Sequence, residues 1–423
     1  MNRCPVASRR GLLAAAGGLV AAAAAGPARA AAGGAADAGG AAATEPFWGR
    51  YQGGILTPQQ RHACTAAFDL TTRKREAVEG LLRTWTAAAA RMANGETAAP
   101  LGTDLSAPAP DSGVALGLSP ARLTVTVGFG AGLFIKNGVD RYGLAAQRPA
   151  ALVDLPRFTG DQLIAERSGG DLFVQACADD AQVAFHAVRQ LDQLAYGVAD
   201  KRWLQTGFLP DAPAGETPRN LMGFKDGTDN PAVGDAGVME QVVWVGSEGP
   251  AWMEHGTYAV FRRIRISLEH WDRMEVDFQE ETIGRRKYSG APLTGTKEFD
   301  PLDLNRADAE GEPVIAENAH VRLAAPASNG GATILRRGYS YNDGVTFIAE
   351  RWPPWRQGML YDAGLLFVAF QRDPRSGFIR IFEPMAKLDA LNQFTTHTAS
   401  GLFACPGGAA PGEFIGQRLF MTG

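Results

Sequence analysis

The sequence predicts an α+β fold built from two ferredoxin-like units, antiparallel sheets with peripheral helices. Three observations predict it. Apolar runs with strand character are separated by segments of helical spacing, that rhythm occurs twice along the chain, and 423 residues exceed what one hydrophobic core ordinarily supports. With 45% hydrophobic and 20% charged residues, the composition suits a globular chain and excludes a wholly disordered one.

Residues 1–30 read as an export leader. They carry the pair Arg9-Arg10 in SRRGLLA, a mild Ala/Leu/Val/Gly run and Ala28-Arg29-Ala30. Twin arginines mark the Tat route, which moves folded proteins, and so predict a periplasmic or extracellular location. The run 11–26 is too short and too weakly apolar for a bilayer span, so no stable membrane insertion is expected. Residues 31–46 are an Ala/Gly-rich linker expected to be disordered, because so few large apolar side chains cannot build a core. The first unit is expected over residues 47–245 and the second over 246–423.

In the first unit, residues 53–56 and 61–70 read as strand material around a turn at Pro58. Residues 73–92 have helical spacing, with Val78, Leu81, Leu82 and Trp85 on one face. Residues 98–120, rich in Pro, Gly and Asp, form a loop, and 123–129 alternate as a strand that ends at Gly128-Phe129-Gly130. A further strand over 171–178 leads to Asp179-Asp180, which can cap a helix with Val183, Ala184, Ala187, Val188 and Leu191 inward. The second unit repeats the rhythm, with a strand over 257–268, a helix over 273–285, a buried strand over 364–371 and a last helix over 384–396.

Charge and side-chain inventory exclude several functions. The formal charge is −4, and loss of Arg3, Arg9, Arg10 and Arg29 with the leader leaves −8, which argues against a nucleic-acid partner. The four cysteines, Cys4, Cys64, Cys177 and Cys405, contain no CxxC pair, so neither a thiolate metal site nor a c-type haem attachment is readable. With Cys4 gone, at least one of the other three must be unpaired or bonded between chains. Six histidines without an HExxH pattern weaken a zinc hydrolase reading.

Chemistry concentrates in three separated motifs. NLMGFKDGTDNP brackets one carboxylate, Asp226, with turn formers at Gly223, Gly227 and Asn230-Pro231, so a tightly bent backbone can aim that side chain. His320 follows in AHVRLAAP and Arg336 in ILRRGYSY. One carboxylate, one imidazole and one guanidinium, each flanked by apolar residues or glycine, suit a two-sided pocket.

In order and spacing, GFKDG, HVRLAAP and LRRGYSY resemble the dye-decolourising haem peroxidases, in particular their exported branch, which includes the periplasmic peroxidase/deferrochelatase of bacterial iron uptake. The resemblance runs from about Tyr51 to Arg418 and extends to LTVTVGFGAGLF, DLFVQACADDAQVAFHAVRQL, IGRRKYSGAPLTGTKEFDPLD and GLLFVAFQRDPRSGF. It implies one noncovalent haem b per chain, between the sheet and helices of the second unit, with His320 as the iron ligand. It implies that Asp226 relays a proton from the inner to the outer oxygen of hydrogen peroxide, that Arg336 stabilises the leaving oxygen, and that a ferryl haem results. Arg337 competes for the last role, and Arg336 is chosen because it comes first in the LRRGY pattern.

Further haem contacts are implied at Gly227, Thr228 and Asp229, and at Ala325, Pro326 and Ala327. The exported branch often has Asn-Pro-Arg where this chain has Ala325-Pro326-Ala327, so Arg322 or Arg263 is considered for a propionate contact. Leu366 and Phe367 are candidate apolar walls. Bulky dyes exceed a narrow pocket, so Tyr339, Tyr341, Trp352 and Trp355 are candidates for carrying electrons to the surface. A free Asp has a pKa of about 3.9, which predicts activity reaching into acidic pH. The implied partners are hydrogen peroxide and an organic reductant, with other iron-uptake components and a homo-oligomer also considered. Two alternatives stand beside the peroxidase: haem handling that releases iron with the porphyrin intact, and a binding module without haem.

Overall fold

Every strand among the described residues finds antiparallel partners. The computed structural model describes residues 43–212, 216–349 and 357–421, so the leader and most of the Ala/Gly stretch lie outside the described residues. Strands β1 (His62–Leu70), β2 (Thr124–Phe129), β3 (Leu172–Ala178) and β4 (Ala199–Phe208) come from the first half. Strands β5 (Thr257–Ile266), β6 (Leu335–Arg336), β7 (Tyr339–Ala349), β8 (Gln357–Gln371) and β9 (Thr395–Cys405) come from the second.

The expectation of an α+β fold with antiparallel strands holds, and the strands of the two halves join in one closed barrel. Around it the order is β5-β9-β2-β3-β1-β4-β7-β8, and β8 pairs back onto β5. Each half would leave two open edges. Those edges meet each other instead, at Phe129↔Ala404 between β2 and β9 and at Phe208↔Ser340 between β4 and β7. Pairing edges in this way satisfies backbone groups that would otherwise invite association. Short β6 lies outside the ring, pairing with β8 at Leu335↔Phe370 and Arg336↔Ala369.

Alternation along the strands divides the core in two. One face fills the barrel with Phe173, Trp203, Phe261, Tyr339, Leu366 and Phe403, where Phe173 stacks on Phe403 at 4.6 Å and Trp203 on Phe261 at 4.3 Å. The other face receives the helices. Helix Arg75–Ala93 buries Val78, Leu81, Leu82 and Trp85 as expected, and helix Ala181–Leu194 is capped by Asp180, which accepts from the amides of Gln182 and Val183.

Local readings failed in three places. Residues 53–56 form a turn rather than a strand. The helix expected over 273–285 is confined to Val276–Ile283, because Gly284 ends it in a left-handed conformation at φ +89°. The last long helix is Phe378–Leu388, with Pro384 inside it, and residues from Thr395 belong to β9. All three described cysteines, Cys64, Cys177 and Cys405, are buried and free. No helix among the described residues is long and apolar enough to cross a membrane.

Candidate active site

A large cavity opens on the helix-covered side of β5 and β8, with about 1810 Å³ of empty space including its mouth. Strand β5 contributes Ile264 and Ile266, and β8 contributes Leu365 and Phe367. Helix Phe378–Leu388 supplies Phe378, Ile381, Phe382 and Met385 from the other side. Two opposed apolar walls make a slot suited to a flat hydrophobic ligand.

His320 begins the short helix His320–Ala324 and lines this slot. Its Nδ1 lies 2.7 Å from Oδ2 of Asp389, whose side chain is only 4% accessible. A carboxylate accepts, so the neutral imidazole keeps its proton on Nδ1 and leaves the Nε2 lone pair free. Burial works against protonation of His320, but Asp389, with a smaller contribution from Asp226, outweighs it and raises the pKa above the ordinary value. Asp389 is held in turn, accepting from the amide of Leu391 at 2.9 Å.

Asp226 and Arg336 line the same slot from the Gly-rich loop and from β6. Arg336 Nη1 is 3.5 Å from Asp226 Oδ1, and both side chains are 32% accessible. Asn220 Nδ2 approaches Asp226 Oδ2 at 3.4 Å. Asn230 ties the loop to β6 in both directions: its Nδ2 donates to the Arg336 carbonyl at 2.8 Å, and its Oδ1 accepts from the Arg336 amide at 3.1 Å. A second, more polar cavity behind this pair also contains Asp226 and Arg336 but not His320.

The other expected site residues separate clearly. Gly227, Thr228, Asp229, Ala325 and Pro326 line the slot, whereas Ala327 does not. Arg337 turns away, with its guanidinium bonded to the Thr57 carbonyl and to Gln60 Oε1. Arg322 donates to the carbonyls of Ile315 and Leu304, and Arg263 is paired with Asp343 and Asp362, so neither reaches the slot. The cations that line it instead are Lys225, Arg262 and Arg285. Phe367 is a wall, but Leu366 points into the barrel, since neighbouring strand residues face opposite ways. Tyr339 and Tyr341 are buried, at 0% and 1% exposure, which removes them as surface sites. Trp352 and Trp355 lie outside the described residues.

Sequence reading missed Asp389, Asn220 and Asn230 as partners of the three principal side chains. It also missed Arg262 and His397, whose Nε and Nδ1 are 3.0 Å apart at the cavity wall. Among the described residues no cluster of three or more His, Cys, Asp or Glu side chains could hold a bare metal ion. One free imidazole nitrogen in an apolar slot, with a carboxylate and a guanidinium on its lining, fits iron carried in a porphyrin, which needs only an axial ligand from the protein.

Comparison with known proteins adds a separate line of evidence. A model described as Dyp-type peroxidase, N-terminal, matches residues 52–209, and one described as Dyp-type peroxidase, C-terminal, matches residues 217–410. The chain is 40% identical over 382 residues to a dye-decolorizing peroxidase of Thermobifida fusca (strain YX), covering 87% of this chain and 83% of the relative. It is 37% identical over 388 residues to the deferrochelatase of Escherichia coli (strain K12), covering 89% and 88%. Among solved structures, ferric DtpA from Streptomyces lividans matches with a TM-score of 0.80 at 44% identity, over 90% of this chain and 98% of that one. A DyP-type peroxidase from Streptomyces coelicolor matches with a TM-score of 0.80 at 45% identity, over 89% and 97%.

Proposed function

The chain belongs to the Dyp-type peroxidase family, and from that premise we propose that it reduces hydrogen peroxide to water at the expense of an organic donor, with His320, Asp226 and Arg336 as the working residues. The observation that carries this reading is the single slot lined by an imidazole held through Nδ1 and by the Asp226–Arg336 pair. We place one noncovalent haem b in that slot, between the β5–β8 side of the barrel and the helices His320–Ala324 and Phe378–Leu388. When bound, haem supplies the iron redox chemistry that splits the peroxide bond and passes oxidising equivalents to the donor.

In this account His320 offers Nε2 to the iron while Asp389 fixes its ring. Asp226 takes the proton from one peroxide oxygen and returns it to the other, which leaves as water. Arg336, permanently charged, stabilises the negative charge that develops on the departing oxygen. Asn220 and Asn230 hold these two side chains in reach of each other. The peroxide-reaction rate of Asp226→Asn, measured by stopped-flow absorbance, is expected to fall roughly 10²- to 10⁴-fold with haem still bound. A rate equal to wild type removes Asp226 from the mechanism.

The similarity to a deferrochelatase, at 37% identity over nearly the whole chain, supports a second reading in which the same slot releases iron and leaves the porphyrin intact. Metal-free porphyrin in the reaction mixture, detected by its fluorescence, distinguishes that outcome from donor oxidation. We also propose that residues 1–30 direct Tat export, so that either chemistry takes place in the periplasm or outside the cell.

A further inference from the structure

The turn that presents Asp226 is held by a carboxylate with no part in the steps above. Glu298 is nearly buried, its side chain 9% accessible, and its Oε2 lies 2.5 Å from Lys225 Nζ. Its Oε1 accepts from Thr228 Oγ1 at 3.0 Å. Glu298 therefore grips the chain one residue before Asp226 and two residues after it. The Thr217 side chain also bonds Glu298, and Arg285 Nη1 fixes the Glu298 main chain by donating to its carbonyl at 2.9 Å. Burial opposes ionisation of Glu298, but Lys225, Thr217 and Thr228 together hold its pKa below the usual carboxylate range.

Two features make this grip matter to the site. Between the gripped residues stands Gly227 at φ +121°, a conformation with little intrinsic preference to hold the turn in place. Lys225 is the immediate neighbour of Asp226 and lines the same slot. The other carboxylate recorded near its ammonium, Glu216, is 4.0 Å away and 60% exposed, so water screens it. Without Glu298, the Lys225 ammonium would lose its close partner on the cavity lining that it shares with Asp226.

Resting on the assignment of Asp226 as the base, we infer that Glu298 is its positioning residue, fixing the turn through Thr228 and neutralising the Lys225 ammonium. The test uses the haem-loaded full-length chain and two readings, the peroxide-reaction rate and the affinity for cyanide from the Soret shift. Hydrogen cyanide must surrender a proton to bind, so its affinity reports the proton acceptor without turnover. Glu298→Gln keeps an acceptor for Thr228 and removes only the charge. It is expected to lower both readings about tenfold at unchanged haem stoichiometry. Adding Lys225→Met is expected to bring both back to within about threefold of wild type, because no cation is left to compensate.

Glu298→Asp keeps the charge one methylene short and is expected to lose no more than about threefold, which keeps the test open should the Gln variant fail to load haem. Wild-type readings for Glu298→Gln while Asp226→Asn is impaired overturn the inference. So does a loss in Glu298→Gln that Lys225→Met leaves in place, or a tenfold loss in Glu298→Asp. Wild-type readings for Asp226→Asn form a different pattern, in which the base assignment fails and the positioning role falls with it.

Discussion

Asp389 is the group that would make His320 fit for the ligand role proposed above. Its carboxylate fixes the Nδ1 tautomer, orients the ring and makes Nε2 more electron-rich, all from 69 residues along the chain. Asp389→Asn is expected to weaken haem affinity about 10- to 100-fold in a titration followed by Soret absorbance, and wild-type affinity contradicts the role. Asp226, His320 and Arg336 were legible because each sits in a local glycine-rich or apolar motif. Asp389 was not, because LDALN falls inside the stretch read as a helix over 384–396 and nothing in it refers to His320. Asn230 was legible as a turn former, but its two-way bond to the Arg336 main chain exists only after β6 is placed.

At the scale of elements, periodicity found the strands and helices better than it found their faces. Leu366 and Phe367 cannot both line the slot, since consecutive strand residues face opposite sides, and the slot receives Leu365 and Phe367. Pro384 suggested a helix start, yet it stands inside Phe378–Leu388. The long loop over 98–120 was correctly read as irregular, but its anchor was invisible in sequence. Asp111 is buried and accepts from the amides of Ala98 and Gly113, each at 2.7 Å, and lies 3.0 Å from His186 Nε2.

Burial opposes the charge on Asp111, but bonds from His186, Ala98 and Gly113 lower its pKa below the ordinary value. A carboxyl lowered in the folded state stabilises the fold above its unfolded pKa of about 3.9, and that stability is lost as pH falls through the folded value. Asp111→Asn is therefore expected to cost about 1–3 kcal/mol near neutral pH in denaturant unfolding, with the difference from wild type shrinking below about pH 4. A difference that stays constant down to acid contradicts the role of the charge.

At the scale of the whole molecule, the chain's two halves were legible as a repeated rhythm, but their closure into one barrel was not. Closure rests on pairs such as Phe129↔Ala404, between residues far apart in sequence, and no local pattern names such a partner. It matters for function because the closed ring gives β5 and β8 one packed face inside the barrel and leaves the other to form the slot. The same arrangement brings a loop that follows β4, a two-residue strand and a five-residue helix to one cavity, from three separate parts of the chain.

We propose above that this cavity takes up haem through His320. The most direct measurement is a haem titration of the purified haem-free protein, wild type and His320→Ala, followed by the Soret band, with circular dichroism confirming that both are folded. Saturation at one haem per chain is expected for wild type, and no stable loading for His320→Ala. Saturation of His320→Ala with the wild-type affinity and spectrum contradicts it.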